Sequence, residues 1–162
     1  MATTETENKE LVHTLTNEAM SEHNMDIADG LVSEDYVAHN SMVPEPYYGP
    51  EGFKETMSKF LTAFPDMDYT VDAVIAEDDK VVTRYRGTAT HEGGLMGIPP
   101  TGKEIELKGT IIWRIEDGQI AEAWGEWDFM NLLKQLGFIV LPGPRLMGRM
   151  VIGKVKSLLS GG

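Results

Sequence analysis

The chain has 162 residues, of which 41% are hydrophobic and 25% are charged, and these values are typical of a single globular domain. It contains no cysteine, which excludes disulfides, thiolate metal sites and a cysteine nucleophile and fits a cytoplasmic protein. The formal net charge is −12, and because an acidic body repels phosphate backbones, we expect no nucleic-acid partner.

The first 65 residues are predicted to contain two helices joined by a loop. Residues 7–32 place apolar side chains at helical spacing, among them Leu11, Leu15 and Ala19. Residues 34–49 contain two prolines and a glycine and are predicted to form the loop. The second helix begins at Pro50, since proline is favoured in a first helical turn, and it ends before Pro65.

Residues 66–128 are predicted to form four strands, because apolar and polar residues alternate there. The strands are 66–79, 80–93, 103–117 and 118–128, and the loop "GLMGIPPTG" separates the second from the third. A short helix, about Phe129 to Leu136, follows and stops at Gly137. Helices followed by an antiparallel meander predict an α+β domain with the helices packed on one face of a curved sheet.

Residues 138–162 form a basic C-terminal tail that we do not expect to be a separate domain. The tail contains four basic residues and no acidic one. Its apolar residues could line one side of a helix, although Gly148 and Gly153 weaken that prediction. We expect the tail to pack on the acidic body or on a sister subunit, and a membrane surface is the alternative.

The turn Asp117-Gly118 lies between two alternating runs and predicts a hairpin. A two-residue turn pairs residue 115 with 120, 111 with 124 and 107 with 128, so that opposed residues share a face. This register gives an apolar face with Asp128 at its far end. Glu122 and Glu126 share that face, so they require a bulge, a place at the rim or another register.

Asp128 has two interpretations. At the edge of an apolar cavity its carboxylate would be desolvated, its pKa would rise, and it could exchange a proton with carbon or oxygen near neutral pH. Alternatively, Asp128 only caps the helix that begins at Phe129. His39 lies where a helix is predicted to give way to a loop, and it could act as a proton partner of this carboxylate.

Other signals for chemistry are weak. Arg84, Tyr85 and His91 are further polar candidates, although Arg84 shares a strand face with Arg86 and both could be solvated. The sequence contains no phosphate loop, dinucleotide fingerprint, His-Glu-x-x-His pair or nucleophile elbow. We therefore expect no metal and no cofactor.

Six segments together resemble the SnoaL-like polyketide cyclases, often called ester cyclases, of the nuclear transport factor 2-like superfamily. They are "YVAHN", "GPEGFKE", "LTAFPDMDYTV", "DDKVVTRYRGTATHEGGLMGIPPTGKEIEL", "WRIEDGQIAEAWGEWD" and "LLKQLG". The resemblance spans about residues 8–137. It implies a cone-shaped domain, residues 1–137, in which a curved antiparallel sheet wraps around N-terminal helices and a deep apolar pocket.

The resemblance also implies a mechanism. An aspartate matching Asp128 removes a proton alpha to a carbonyl, and the enolate attacks a second carbonyl in the same molecule. A histidine matching His39 is expected at the pocket. The cyclases carry another histidine on the strand "LKGTIIWRI", where this chain has Thr110, Trp113 and Arg114 instead.

We therefore predict a cofactor-free acid/base enzyme that acts on a small apolar or polycyclic carbonyl compound, most simply by intramolecular aldol ring closure. The predicted catalytic residues are Asp128 and His39, and the predicted substrate-binding residues are Trp113, Trp124, Tyr85, Arg84, His91 and Ile98. The loop from Ile98 to Thr101 is predicted to form a rim or lid. We expect a homodimer or tetramer. The alternative is a non-catalytic module that binds a ligand or another protein with the same fold.

Overall fold

The computed structural model describes residues 4–41, 43 and 45–139. Most of the predicted basic tail, from residue 140 onward, lies outside these residues. The main helices are α1 (Glu5–Thr16), α2 (Ala28–Leu31), α3 (Gly49–Ala63) and α4 (Phe129–Leu136). The strands are β1 (Val32–Asn40), β2 (Tyr47–Tyr48), β3 (Asp68–Glu77), β4 (Lys80–Thr90), β5 (Glu104–Glu116) and β6 (Gln119–Trp127).

The predicted first helix is present as a series of shorter pieces. The helix α1 begins with a capping box, in which the Thr4 hydroxyl accepts from Glu7 N and the Glu7 carboxylate accepts from Thr4 N. A π-helical turn (Asn17–Ser21) and a 3₁₀ turn (Met25–Ile27) connect α1 to α2. No helix in the described part of the chain is both long and apolar enough to cross a membrane.

The six strands form one sheet in the order β2-β1-β6-β5-β4-β3. All neighbouring pairs are antiparallel except β1 and β6, which run parallel. The prediction of a loop over residues 34–49 is wrong, because most of β1 and all of β2 lie within that range. The apolar alternation in β1 is short and the prolines follow directly, so the pairing with β6, more than 80 residues away, was not visible locally.

Helices cover one face of the sheet, which we call the inner face, and within residues 4–41, 43 and 45–139 no helix packs on the outer face. The helix α3 buries Phe53, Phe60 and Leu61 against the inner face. On β5 the predicted alternation is confirmed: Leu107 and Trp113 are buried inside, while Glu106 and Lys108 are exposed outside. The predicted α+β fold, with helices on one face of a curved sheet, is confirmed.

The hairpin between β5 and β6 has the predicted turn but not the predicted register beyond it. Ile115 pairs with Ile120 as expected, but the next pair is Arg114 with Glu122. The unpaired residue is Ala121, so β6 contains a β-bulge that reverses the alternation from Glu122 onward. The acidic residues 122 and 126 consequently lie on the outer face, which resolves the conflict that the predicted register created.

Candidate active site

A narrow apolar cavity lies between the inner face of the sheet and the helices α1 and α3. Its volume is about 40 Å³, which is enough for a small end group but not for a polycyclic molecule. Apolar side chains such as Phe53, Met57, Ile111 and Trp113 form most of the wall. The lining residues that carry polar side-chain groups are Thr16, Tyr36, His39, Asn40, Tyr47, Tyr69, Trp113 and Trp127.

A wider groove of about 330 Å³ adjoins the cavity and opens to solvent. It shares Asn40, Met57 and Trp127 with the cavity wall, so these three side chains separate the two spaces. Its other walls are α3, through Thr56, Lys59 and Phe60, and the loop after β4, through Gly94, Leu95 and Met96. The groove and the cavity are therefore adjacent spaces.

Two tyrosines from different strands meet in the cavity. The side chains of Tyr36 on β1 and Tyr47 on β2 are joined by a hydroxyl-to-hydroxyl hydrogen bond, and their rings pack edge to face at 6.2 Å. Burial raises the pKa of Tyr47 to about 12, and burial with the neighbouring Tyr47 raises that of Tyr36 well above its usual value. Both phenols are therefore neutral hydrogen-bond donors near neutral pH.

Trp127 is the last residue of β6 and connects the cavity to the core behind it. Its ring lies 5.3 Å from the ring of Phe60 and 5.0 Å from that of Tyr85, measured between centroids. Its indole N–H is buried without a hydrogen-bond partner. Trp113, by contrast, lines the cavity as predicted and donates from Nε1 to Thr83 Oγ1 at 3.0 Å.

The predicted placement of Asp128 on the inner face is wrong. The bulge in β6 directs Trp127 inward instead, and Asp128 is exposed at the start of α4. Asp128 Oδ1 accepts a hydrogen bond from Asn131 N at 3.1 Å, the contact of a helix N-cap. The carboxylate does not line the cavity or the groove.

His39 is among the residues that line the cavity, whereas Trp124 is not. Both side chains lie on the outer face, where their rings stack with centroids 5.9 Å apart. On β1, His39 lies between Ala38 and Asn40, which also line the cavity. The structure therefore brings His39 together with Glu122 and Trp124, not with Asp128.

The remaining predicted binding residues do not line the cavity or the groove. Arg84 is exposed on the outer face, while Tyr85 is buried behind the wall, stacked on Tyr69 at 5.1 Å. His91 is fully buried and its Nδ1 accepts from Thr101 N at 3.3 Å, which anchors the loop after β4. Ile98 pairs with Leu95 inside that loop, and residues 94–96, not 98–101, form the groove wall.

The cavity's polar residues Tyr36, Asn40, Tyr47 and Tyr69 were missed by the sequence analysis. The signal for two of them was present, because Tyr36, Ala38 and Asn40 alternate on one face of a strand. Tyr47 had no such signal, since β2 is only two residues long. Among residues 4–41, 43 and 45–139, no three His, Asp or Glu side chains are grouped to hold a metal ion.

The chain is similar in sequence to one protein family and to a characterised relative. A sequence model of the family described as SnoaL-like polyketide cyclase matches residues 10–136. Nogalonic acid methyl ester cyclase of Streptomyces nogalater is 26% identical over 113 residues, which cover 69% of this chain and 84% of that protein.

Solved structures are similar over most of the chain. TsrD from Streptomyces laurentii is 26% identical with a TM-score of 0.75, covering 85% of this chain and 99% of that one. AclR from Streptomyces galilaeus is 25% identical with a TM-score of 0.76, covering 90% and 95%. A SnoaL-like polyketide cyclase from Agrobacterium tumefaciens, at 15% identity and a TM-score of 0.68, shows the same fold over 80% of this chain and 98% of that one.

Proposed function

The chain belongs to the SnoaL-like polyketide cyclase family, and from this premise we propose that it closes a ring in a small apolar carbonyl compound by cofactor-free acid/base chemistry. The observation that carries the proposal is the pair of neutral phenols, Tyr36 and Tyr47, in an apolar cavity that adjoins an open groove. Few polar groups in an apolar wall are typical of small-molecule sites.

The sizes of the two spaces indicate how a substrate would lie. The groove, at about 330 Å³, has the volume of a typical ligand pocket, whereas the cavity, at about 40 Å³, admits only an end group. We infer that the apolar body of the substrate occupies the groove against Phe60, Leu95 and Trp127. A terminal carbonyl then enters the cavity.

The proposed reaction is an intramolecular aldol closure. A proton leaves the carbon alpha to one carbonyl, the resulting enolate carbon attacks a second carbonyl of the same molecule, and the new alkoxide takes up a proton. Negative charge develops on an oxygen in both steps, and donors fixed in a dry cavity stabilise such charge strongly. Tyr47 is suited to this role, because its raised pKa keeps its proton in place.

Asp128 is the proton acceptor in this proposal because of its place in the motif that resembles the cyclases. The support for this role is the resemblance alone, since the carboxylate caps α4 outside the cavity. Asparagine is an equally good N-cap residue, so Asp128→Asn removes the base while keeping the helix start. A change in turnover of this variant would therefore report chemistry and not folding.

The experiment follows cyclisation of a panel of poly-β-keto esters by the native chain and by Asp128→Asn. General acid/base catalysis contributes about 100-fold or more, so the proposal expects at least that loss of turnover. Asp66→Asn is the matched control, because Asp66 is another exposed carboxylate bound to neighbouring groups, Thr90 N and Thr90 Oγ1. Unchanged turnover in Asp128→Asn would remove Asp128 from the mechanism.

A non-catalytic ligand-binding module is the second candidate. One observation favours it: among the described residues, no carboxylate lines the cavity, and the ring of His39 is directed to the outer face. Saturable binding of aryl ketones without turnover of any panel member would support this candidate.

The proposal also includes an oligomeric state and a cellular location. A homodimer or tetramer in the cytoplasm is expected from the sequence. Truncation after Gly137 is expected to change the sedimentation coefficient beyond the loss of mass, because the tail is proposed to pack on a sister subunit. Binding of the isolated tail to liposomes would support the membrane alternative instead.

A further inference from the structure

The partition between the cavity and the groove consists of the side chains of Asn40, Met57 and Trp127, which line both spaces. Two of these side chains are held in place. The ring of Trp127 packs on those of Phe60 and Tyr85, with centroid distances of 5.3 and 5.0 Å. Asn40 is the last residue of β1, its backbone is paired with β6, and it has a polar partner of its own. Neither side chain can leave the partition without losing a contact.

Met57 is the member of the partition that can move. It lies on α3, one turn after Phe53, and is only partly buried. It packs against the core cluster that contains Phe53 and Trp113 and also against the cluster that contains Phe60 and Leu107. An unbranched thioether with three rotatable bonds adapts to such irregular gaps. Its rotation toward the open groove would connect the two spaces without breaking a hydrogen bond or an aromatic contact.

We propose that Met57 is a gate between the two spaces, and that its side chain determines which end groups of a ligand pass from the groove into the cavity. This inference rests on the proposed function only in that a ligand binds with its body in the groove. The groove measures about 330 Å³ and the cavity about 40 Å³, so an end group that passes Met57 must be small. The gate therefore selects flat, unbranched acyl groups over branched ones on the same aromatic body.

Three methionines can report where each part of a ligand lies, because of the two spaces Met20 lines the cavity, Met96 the groove and Met57 both. The full chain is labelled with carbon-13 at its methionine methyl groups, and the resonances are assigned from single Met→Leu variants. The probes are 2-acetylnaphthalene and its tert-butyl counterpart, 2-pivaloylnaphthalene. We expect nuclear Overhauser contacts to Met96 from the ring protons of both ketones. We expect a contact to Met20 from the acetyl group but not from the tert-butyl group.

Two substitutions of Met57 should change this selection in opposite directions. Met57→Ala removes the gate, so the tert-butyl group should also reach Met20. The ratio of acetyl-ketone to tert-butyl-ketone affinity should then fall at least about tenfold, since one methylene in an apolar pocket already has an effect of that size. Met57→Ile keeps the bulk but restricts the first side-chain torsion, so the acetyl group should lose its contact with Met20. Met96→Ala, on the groove wall alone, is the matched control and should leave the Met20 contact and the ratio unchanged.

The outcomes distinguish this inference from the proposed function. A contact to Met20 from the acetyl group alone, lost in Met57→Ile, without turnover of any substrate would support the gate and overturn the cyclase proposal. Turnover by a native chain in which both end groups contact Met20, or neither does, would overturn the gate alone. An affinity ratio unchanged in Met57→Ala, or an acetyl contact that persists in Met57→Ile, would also overturn it.

Discussion

The ring of His39 lies parallel to the ring of Trp124, with centroids 5.9 Å and planes 10° apart, on the face of the sheet turned away from the cavity. His39 Nε2 is 3.1 Å from Glu122 Oε1, and the second oxygen of Glu122 accepts from Arg114 Nε at 3.1 Å. Arg114 also binds Glu116. His39 thus contacts a network of charged side chains on the outer surface, Glu122, Arg114 and Glu116.

His39→Ala is therefore expected to change turnover and ketone binding by less than about twofold. The side chain is 41% exposed, so loss of its contact with Glu122 should cost less than about 1 kcal/mol of unfolding free energy. Asn40→Ala is the comparison, because the next residue on the strand faces the cavity and its loss should weaken ketone binding. A tenfold or larger loss of turnover in His39→Ala would contradict this prediction and would indicate that the imidazole takes part in proton transfer.

The buried tyrosines predict a loss of stability in alkaline solution. Burial raises the pKa of Tyr36, Tyr47, Tyr69 and Tyr85, that of Tyr47 to about 12. Between pH 10 and 12 the unfolded chain releases phenolic protons that the folded chain retains. The contribution of these tyrosines to the unfolding free energy is therefore fully present below pH 10 and decreases as the pH rises. Urea unfolding at several pH values measures this decline.

Tyr47→Phe isolates one of these groups. Its decline between pH 10 and 12 should be shallower than that of the native chain, because one fewer proton is released on unfolding. Lysines also titrate in this pH range, but they affect both chains equally. Their effect therefore cancels when the unfolding free energy of the variant is subtracted from that of the native chain. Parallel declines would contradict a raised pKa at Tyr47.

The loop that walls the groove depends on Gly93. A Cβ there would clash with the carbonyl oxygen of Thr62, while Gly93 N and Glu92 N donate to Ala63 O at the end of α3. Gly93→Ala should therefore push the loop off α3, with a loss of about 1–3 kcal/mol of unfolding free energy and weaker ketone binding.

Gly94→Ala is the matched control for this loop. The nearest atom to an added Cβ at Gly94 is 3.9 Å away, so the thermal midpoint should change little. Thermal unfolding and ketone titration of the two variants together measure the effect. Equal midpoints in both would show that the loop tolerates displacement from α3.

The strength of local patterns explains which parts of the fold could be predicted. The helix α4 was predicted with its observed ends, because Asp128 and Gly137 are both strong cap signals. The turn at Asp117-Gly118 and the inner face of β5 were predicted for similar reasons. The strand β1 was not, since it is stabilised by a parallel partner, β6, that is distant in sequence.

The candidate site was harder to predict, because its composition depends on one unpaired residue. With Ala121 extra, Trp127 and Gly125 face the cavity while Trp124 and Asp128 do not. In the sequence "QIAEAWGEW" the only sign of a bulge at Ala121 is that a regular register would place Glu122 and Glu126 on the apolar inner face. That conflict correctly indicated a bulge. Which residue of β6 stays unpaired is decided by the pairing with β5, which the sequence of β6 alone does not contain.

The bulge also divides β6 into two parts that meet different structural requirements. Before Ala121 the strand must match the hairpin turn; beyond it, alternate positions belong to two separate surfaces. Substitutions at Ala123, Gly125 and Trp127 would change the cavity wall, while substitutions at Glu122, Trp124 and Glu126 would change the outer face. A single strand can in this way acquire new chemistry on one side without disturbing its relations on the other.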